Sequence, residues 1–238
     1  MKKILHLLYQ PYKWLIYAPL VIVSVLVFAL IIVIVAFVIN GSVASKFAAI
    51  WARFNAFIIP MMVKVSGKEN IKKNASYVIV ANHQSHYDIL VLYGWIGIDV
   101  KWVMKKELRK VPALGLACEK MGHVFLDRAN KDVAIQSLND AKKKLVNGTS
   151  VIIFPEGTRS ETEKVEKFKA GAFRLALDLG LPILPVTISG TRDIMPAGTT
   201  DLLPGKAYMK IHAPVEVNEY NLDTLPNLME NVRGIIAR

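Results

Sequence analysis

One stretch near the start of the chain, from Ala18 to Ile39, contains no charged residue over 22 positions. As an α-helix rising about 1.5 Å per residue, it would be roughly 33 Å long, which is enough to cross the hydrocarbon core of a bilayer. A cleaved signal peptide is the alternative, but its apolar core usually has about 7–15 residues and small residues follow it. Large apolar residues follow this stretch, so we expect a retained membrane segment.

A second apolar stretch, Val43–Val65, follows the turn-forming residues Asn40, Gly41 and Ser42. Gly favours the end of a helix, Ser42 could cap the next one, and Pro60 would bend or end it. Three arrangements are open. The first helix could span the bilayer with the second on the far side, the two could form a membrane-embedded hairpin, or they could be a buried pair in a soluble oligomer.

The net charge of +11 is concentrated at the start of the chain. Residues 1–73 contain nine Lys or Arg and one acidic residue, a net charge of +8. Anionic headgroups attract basic residues placed beside an apolar segment. Nucleic-acid binding would instead put a basic stripe on the folded domain. We therefore expect a phospholipid bilayer as a partner and no nucleic acid.

After residue 65, short apolar runs rich in β-branched residues alternate with helical patterns, which predicts an α/β fold with a mixed, largely parallel sheet flanked by helices. The predicted strands are Tyr77–Ala81, Val100–Met104, His123–Leu126, Ser150–Phe154, Ile183–Ile188 and, at an edge, Ala207–His212. The predicted helices are Asp88–Trp95, Pro112–Met121, Asn130–Val146, Phe168–Leu179 and Leu225–Ile236. We predict two domains, a membrane-anchoring segment at 1–65 and an α/β domain at 66–238.

A histidine and an aspartate stand five positions apart in Asn82–Asp88, directly after the first of these strands. That spacing suits His83 in a loop facing Asp88 in the first turn of a helix. A carboxylate bonded to one ring nitrogen fixes the tautomer and makes the other nitrogen a better base. The alternatives are a structural histidine, or a metal site built from His83, His86, Asp88 and His123, although the spacing is not that of a familiar zinc motif.

The segment Phe154–Ser160 also directly follows a predicted strand. Pro155 and Gly157 shape a turn with accessible N–H groups, Arg159 can grip a phosphate through two hydrogen bonds, and Thr158 adds a hydroxyl. Glu156 could bond a substrate hydroxyl or anchor the loop. The pattern indicates a phosphomonoester site, and a capped turn with an exposed arginine is the alternative.

Polar residues also follow the other predicted strands. Gly122–Arg128 ends with a basic residue, Lys105 and Lys106 end another strand, and Leu184–Gly190 ends a third. Because the carboxyl ends of parallel strands line one crevice, we expect these groups to converge. Lys105 and Arg128 are candidates for binding phosphate or an oxyanion.

Taken together, these segments resemble the motifs of the glycerophosphate acyltransferase superfamily, most closely its bacterial 1-acyl-sn-glycerol-3-phosphate acyltransferases. NHQSHYD resembles the first motif, N-H-x-x-x-x-D, and GHVFLDR the second, with Leu126 where Ile is common. FPEGTRS matches the third and LPVTISG resembles the fourth. The resemblance covers 82–190, nearly half of the chain.

The resemblance implies an enzyme that moves an acyl chain from acyl-CoA or acyl carrier protein to the sn-2 hydroxyl of lysophosphatidic acid, giving phosphatidic acid in phospholipid biosynthesis. It implies that His83 is the general base and that Asp88 assists it. It implies a glycerol-phosphate site at Glu156, Gly157 and Arg159 with Arg128 nearby, no cofactor, no metal and no covalent acyl-enzyme. Cys118, the one cysteine, is accordingly expected to be a buried residue and not a nucleophile.

An intracellular thioester donor also bears on the membrane segment. Lys2, Lys3 and Lys13 favour a cytoplasmic start, and the α/β domain would have to be cytoplasmic too. We therefore predict the hairpin, with the active domain on the cytoplasmic side of a bacterial inner membrane. The competing functions are a metal-dependent lipid-phosphate hydrolase, a non-catalytic lipid-binding protein, and an acyltransferase for glycerol-3-phosphate or another lysophospholipid.

Overall fold

The structure is a computed structural model that describes residues 2–127, 148–162 and 164–237. Its N-terminal part consists of helices α1 (Lys2–Tyr12), α2 (Ala18–Val38) and α3 (Gly41–Ile58), and a π-helical turn at Lys13–Tyr17 links the first two. Among the described residues, one continuous helical segment, Leu7–Val38, is long and apolar enough to cross a bilayer by length and composition.

Most of helix α2 is not covered by protein. Its large apolar side chains include Leu26, Leu30 and Phe37, which are 54%, 62% and 83% exposed. An apolar surface of this extent is unfavourable in water and matches a lipid or protein environment. The long apolar helix predicted for the first stretch is therefore confirmed, while its insertion into a membrane stays a prediction.

Helices α2 and α3 pack against each other through a small polar cluster as well as apolar contacts. Ser24 Oγ lies 3.3 Å from the Asn55 side chain and accepts a hydrogen bond from Trp51 Nε1 at 3.2 Å. The predicted cap of the second helix is wrong, because Asn40 Oδ1 accepts from Val43 N at 2.9 Å and acts as the cap. Ser42 instead donates a hydrogen bond to the α/β domain.

Both ends of helix α2 lie against the α/β domain. At its start, the Tyr17 hydroxyl is hydrogen-bonded to the Tyr87 hydroxyl. Beyond its end, Ser42 Oγ donates to Asp99 Oδ2 at 2.7 Å. Gly41 also packs so tightly on the end of a neighbouring helix that a Cβ there would lie 2.9 Å from a backbone oxygen. The helix therefore runs along the domain and does not project away from it.

The α/β domain contains a mixed sheet that is mostly parallel. Its strands are β1 (Met61–Ser66), β2 (Val78–Ala81), β3 (Val100–Lys105), β4 (Val124–Leu126), β5 (Ser150–Ile153), β6 (Ile183–Ser189) and β7 (Gly205–Ile211). They lie in the order β1-β7-β6-β2-β5-β3-β4. Strands β2 to β6 are parallel, β7 is antiparallel to β6, and β1 is parallel to β7. The predicted α/β fold with a mixed, largely parallel sheet is confirmed, but the strand that was expected at an edge, β7, lies inside the sheet between β1 and β6.

Strand β1 was not predicted. The second apolar stretch, Val43–Val65, was expected to be helical with a bend or an end at Pro60, and α3 does end at Ile58, but Met61–Ser66 then pairs along β7 as a strand. The helix stops next to Pro60, which cannot supply a helical N–H. The alternation in Met62, Val63, Lys64 and Val65 then suits a strand with one buried face. The predicted boundary between residues 65 and 66 falls within this strand.

Helices cover both faces of the sheet. They are α4 (Tyr87–Trp95), α5 (Leu114–Lys120), α6 (Gly171–Leu179), the short α7 (Thr191–Ile194) and α8 (Leu225–Ile236), with 3-10 turns at Lys68–Asn70 and Lys106–Lys110. Alternate residues of β2 face opposite ways: Ile79 packs with α3 and α4, and Val78 with α6 and α8. The helix predicted at Asn130–Val146 lies outside the described residues.

The carboxyl ends of β2, β5 and β6 meet at one edge of the sheet. Strand β2 leads into Asn82–Asp88 and β5 into Phe154–Ser160. Strand β6 leads through Gly190 into α7. At that turn Gly190 has φ +82°, and a Cβ there would lie 2.1 Å from the Lys206 carbonyl oxygen. A glycine is needed here for conformation and for space together.

We predict that Gly190→Ala destabilises the protein more than Gly97→Ala. Gly97 has φ +83° with no atom within 4 Å of the Cβ position, so its variant experiences conformational strain of about 1–2 kcal/mol and no clash. At Gly190 the added methyl must also displace the backbone of β7. Thermal unfolding of both variants in one detergent measures the difference, and equal melting temperatures would show that the close approach costs nothing.

Candidate functional site

The predicted pair of His83 and Asp88 is formed in the structure. His83 Nδ1 lies 2.9 Å from Asp88 Oδ2. Asp88 is fully buried in the first turn of α4, whereas 14% of the His83 side chain is exposed. Because Nδ1 is engaged with the carboxylate, Nε2 is the ring nitrogen left to exchange a proton with another molecule.

The Asp88 carboxylate receives three more hydrogen bonds. The backbone N–H groups of Gln84 and Ser85 donate to Oδ2 at 2.6 and 2.8 Å. Thr191 Oγ1, on α7, donates to Oδ1 at 2.5 Å. These donors hold a buried negative charge in one orientation and thereby fix the tautomer of His83.

The imidazole is also held from the side by an aromatic ring. His83 stacks on Phe154 with ring centroids 3.9 Å apart and an interplanar angle of 9°. Phe154 comes directly after β5 and begins the second predicted motif. The two motifs therefore meet at the ring of His83, and the stacking excludes water from one of its faces.

Glu156 joins the backbones of the two loops. Its Oε1 accepts from His83 N at 2.7 Å, and its Oε2 accepts from Glu166 N at 3.0 Å. Ser160 N in turn donates to His83 O at 2.7 Å. Burial raises the pKa of the Glu156 carboxyl above its ordinary value, although N–H donation by Glu166 and His83 pulls it back. These contacts support the anchoring role that was left open for Glu156.

A lysine outside the predicted motifs lies over the turn at Gly157. Gly157 has φ +79°, and Lys169 Nζ lies 2.7 Å from where its Cβ would be. Lys169 N also donates to Pro155 O at 2.8 Å, which ties this residue to the loop. The Gly157 N–H, expected to be accessible, donates to Phe154 O at 3.1 Å within the turn.

His86 and Arg159 lie close to each other and to the pair of His83 and Asp88. Arg159 is partly exposed, and Thr158 beside it is exposed. Burial lowers the pKa of His86 below its ordinary value, and the charges of Arg159 and His83 lower it further. The site thus brings the guanidinium of Arg159 and the amine of Lys169 together with two imidazoles.

The remaining predicted residues are placed differently. Lys105 ends β3, is 60% exposed and lies 3.8 Å from Glu107. Arg128 lies outside the described residues. The roles proposed for Lys105 and Arg128, and substrate binding by Glu156, Gly157, Thr158 and Arg159, stay predictions.

His123 is not part of a metal group with His83. It is buried below the sheet edge, where Nδ1 accepts from Trp102 N at 3.4 Å and Nε2 lies 3.4 Å from the Tyr93 hydroxyl. Burial, and then the charge of Lys101, lower its pKa to about 3. Within residues 2–127, 148–162 and 164–237, no three His, Cys, Asp or Glu side chains are grouped so that they could hold a metal ion.

Cys118 is buried in α5, and burial raises its pKa to about 12. A thiol with this pKa is not a thiolate at neutral pH, and the thiolate is the nucleophilic form. The structure therefore gives no support to an acyl-cysteine intermediate.

Sequence reasoning missed two residues of the site, Thr191 and Lys169. Thr191 directly follows the LPVTISG segment, so a search one residue further would have included it. Lys169 carried no signal, because neither its spacing nor its neighbours distinguish it from other exposed lysines.

Comparison with known proteins gives consistent results. A model of the acyltransferase family matches residues 62–189. A chloroplastic 1-acyl-sn-glycerol-3-phosphate acyltransferase of Brassica napus is 33% identical over 80% of this chain and 54% of that protein. The alpha form of Mus musculus is 31% identical over 74% of this chain and 62% of that protein. The chain thus spans roughly half to two thirds of the length of such curated relatives.

One solved structure matches over the full chain. It is the crystal structure of the 1-acyl-sn-glycerophosphate (LPA) acyltransferase PlsC from Thermotoga maritima. The two chains are 32% identical and superpose with a TM-score of 0.82, covering 100% of this chain and 95% of that one. The two chains therefore share the same fold.

We predict that Glu156→Gln destabilises the protein although it preserves shape. An amide has one acceptor oxygen, so one of the N–H groups of His83 and Glu166 would face an NH₂ group. Leaving a buried donor unpaired costs about 1–3 kcal/mol. Thermal unfolding measures this, with Glu161→Gln, an exposed glutamate of the same loop, as the matched control. Equal melting temperatures would remove the anchoring role from Glu156.

Proposed function

We propose, since the chain belongs to the acyltransferase family, that it transfers an acyl chain from acyl carrier protein or coenzyme A to the sn-2 hydroxyl of lysophosphatidic acid. The product would be phosphatidic acid. The observation that carries this proposal is the His83 imidazole, held by a buried Asp88 at 2.9 Å and joined through its backbone to the loop of Arg159.

In the proposed mechanism His83 acts as general base and then as general acid. Nε2 takes the proton of the sn-2 hydroxyl as that oxygen attacks the thioester carbonyl carbon. The resulting imidazolium is stabilised by Asp88, whose other hydrogen bonds keep it in place. When the tetrahedral intermediate collapses, the C–S bond breaks and the imidazolium protonates the departing sulfur.

The phosphate of the acceptor would bind to the loop after β5. Arg159 offers a planar pair of donors, and Lys169 adds a second positive charge above Gly157. The Gly157 N–H is already used in the turn. Other donors would then have to stabilise the oxyanion of the tetrahedral intermediate. The candidate among them is Lys105, at the end of β3.

The proposed reaction needs no resident cofactor or metal ion. A thioester carbonyl is already activated toward attack by oxygen, and His83 can move both protons. The co-substrate is the thioester itself, carried on acyl carrier protein or on coenzyme A.

We further propose that helices α2 and α3 enter one leaflet of the bilayer from the side of the α/β domain. The chain contacts that domain just before α2, through Tyr17, and again at the start of α3, through Ser42. A helix that crossed the bilayer would carry one of its ends to the opposite surface, away from the domain. The exposed leucines and phenylalanines of α2 would contact acyl chains instead.

The most suitable location for this reaction is the cytoplasmic side of a bacterial inner membrane. Acyl carrier protein and coenzyme A thioesters are intracellular, and the acceptor is a membrane lipid. The basic residues at the start of the chain favour the same side.

We predict that purified protein acylates lysophosphatidic acid and that His83→Ala and Asp88→Ala abolish turnover. Loss of a general base lowers the rate by about 10²–10⁴-fold. The assay offers a labelled acyl donor to lysophosphatidic acid, glycerol-3-phosphate and other lysophospholipids, and it also measures release of inorganic phosphate. Circular dichroism and vesicle binding establish that each variant is folded.

Each rival function gives a different result in this assay. Phosphate release that a chelator stops would indicate a metal-dependent hydrolase, and lipid binding without transfer would indicate a binding protein. Preference for glycerol-3-phosphate would move the proposal to another acceptor. Turnover in folded His83→Ala equal to that of the wild type would overturn the mechanism.

We also predict that Arg159→Ala and Lys169→Gln raise the KM for lysophosphatidic acid, with a smaller change in kcat. Loss of one charged hydrogen bond to the phosphate corresponds to about a ten-fold change or more. Lys167→Gln, which removes an exposed lysine two residues away, is the matched control and should leave KM unchanged. If Lys169→Gln and Lys167→Gln behave alike, Lys169 does not bind the phosphate.

A further inference from the structure

Strands β1 and β7 expose a row of lysines on the face that is turned away from the apolar core. The paired residues across the two strands are Met62 with Lys206, Lys64 with Tyr208, and Ser66 with Lys210. All six side chains are exposed, while the β7 residues between them are buried. We call these six residues the lysine face.

The lysine face has positive charge that no residue described by the structure neutralises. It contains three lysines and no acidic residue. Among the residues that the structure describes, none lies within ion-pair distance of Lys64, Lys206 or Lys210. A lysine on an edge strand such as β1 can serve to prevent association between sheets. That explanation does not extend to Lys206 and Lys210, because β7 lies inside the sheet.

At one end the lysine face continues into an apolar groove. Met62, which is 55% exposed, lines a groove of about 590 Å³ at the junction of the N-terminal helices with the sheet. The other lining residues are Tyr12, Leu20, Phe54, Phe57, Ile58, Pro60 and Met61. Phe57 is 80% exposed. From the start of β1 and β7 toward their ends, the exposed side chains therefore change from apolar residues to lysines.

The change from apolar to basic residues occurs over a distance comparable with a headgroup layer. Successive pairs on one face of a strand are about 7 Å apart, so Lys210 lies about 13 Å further along β7 than Lys206. If Met62 marks the edge of the hydrocarbon, then Lys206, Lys64 and Tyr208 lie at the level of the headgroups. Tyrosine is enriched at this level in membrane proteins.

We infer that the lysine face binds anionic phospholipid headgroups of the bilayer that holds the N-terminal helices. The inference rests on the proposed membrane association and adds a second, electrostatic contact to it. An acidic carrier protein is the other partner that lysines could attract. The bilayer fits better because Met62 joins the lysine face to exposed apolar residues, which an acidic protein surface would leave uncovered.

This contact would also orient the catalytic edge of the domain. The Lys206 backbone packs on Gly190, and the next residue, Thr191, bonds to Asp88. Headgroups bound at Lys206 would therefore lie on the side of the sheet edge where His83 is found. A lipid acceptor could then reach the site without leaving the interface.

The test compares Lys206→Gln with Lys210→Gln in the full chain. The two lysines share a strand, a face and a charge, and they differ in distance from Met62. Flotation measures binding to vesicles of phosphatidylcholine alone and to vesicles that also contain phosphatidylglycerol. We expect phosphatidylglycerol to strengthen wild-type binding, and Lys206→Gln to reduce that gain about five-fold. Lys210→Gln should have a smaller effect, because salt screens charges beyond about 10 Å.

The outcomes separate this inference from the proposal on which it rests. Failure of the wild type to float with either vesicle would remove membrane association altogether. Flotation with phosphatidylcholine but no gain from phosphatidylglycerol would overturn the lysine face alone. If both variants lost the same part of the gain from phosphatidylglycerol, the effect would be one of net charge. That result would also contradict the inference. The inference would also be contradicted if Lys206→Gln left vesicle binding unchanged but slowed acyl transfer from acyl carrier protein. The partner of the lysine face would then be the carrier protein.

Discussion

The organisation of the site depends on one buried carboxylate. An ionised Asp88 with no exposed surface would be strongly destabilising without donors around it. Its donors come from the first motif itself and from Thr191, which lies more than 100 residues later in the chain. Satisfying this charge therefore requires that the end of β2, the start of α4 and the turn after β6 meet at one point. The position of the His83 ring follows from that requirement.

The second motif restricts His83 further, through its backbone rather than its ring. Glu156 accepts from the His83 N–H, and Ser160 donates to the His83 carbonyl oxygen. Together with the stacking of Phe154, these bonds leave Nε2 as the one polar atom of His83 without a partner among the contacts described above. A base that is held before the substrate arrives loses little entropy when the reaction begins. The two motifs thus form one unit, in which neither loop is positioned without the other.

Sequence reasoning succeeded where structure follows from local pattern. The β-branched runs of β2, β5 and β6 identify buried strands, and the rule for parallel sheets then places the motifs at one edge. It failed at β1, because Met61–Ser66 continues an apolar helix in the sequence and acquires its identity by pairing with the distant β7. Lys169 was missed for a similar reason. Its place above Gly157 depends on the path of the chain after Ser160, which no short pattern encodes.

The N-terminal helices and the first motif are also connected, by the hydrogen bond between Tyr17 and Tyr87. Tyr87 lies between His86 and Asp88, so the start of α2 is fixed relative to the residues that orient the base. At the same edge of the sheet, β1 begins beside the groove that the helices line. The membrane arrangement proposed above would place one bilayer surface against the helices, the first residues of β1 and the loop of Gly190. Under that arrangement the acceptor would approach His83 from the lipid side, and the phosphate site would lie at the level of the headgroups.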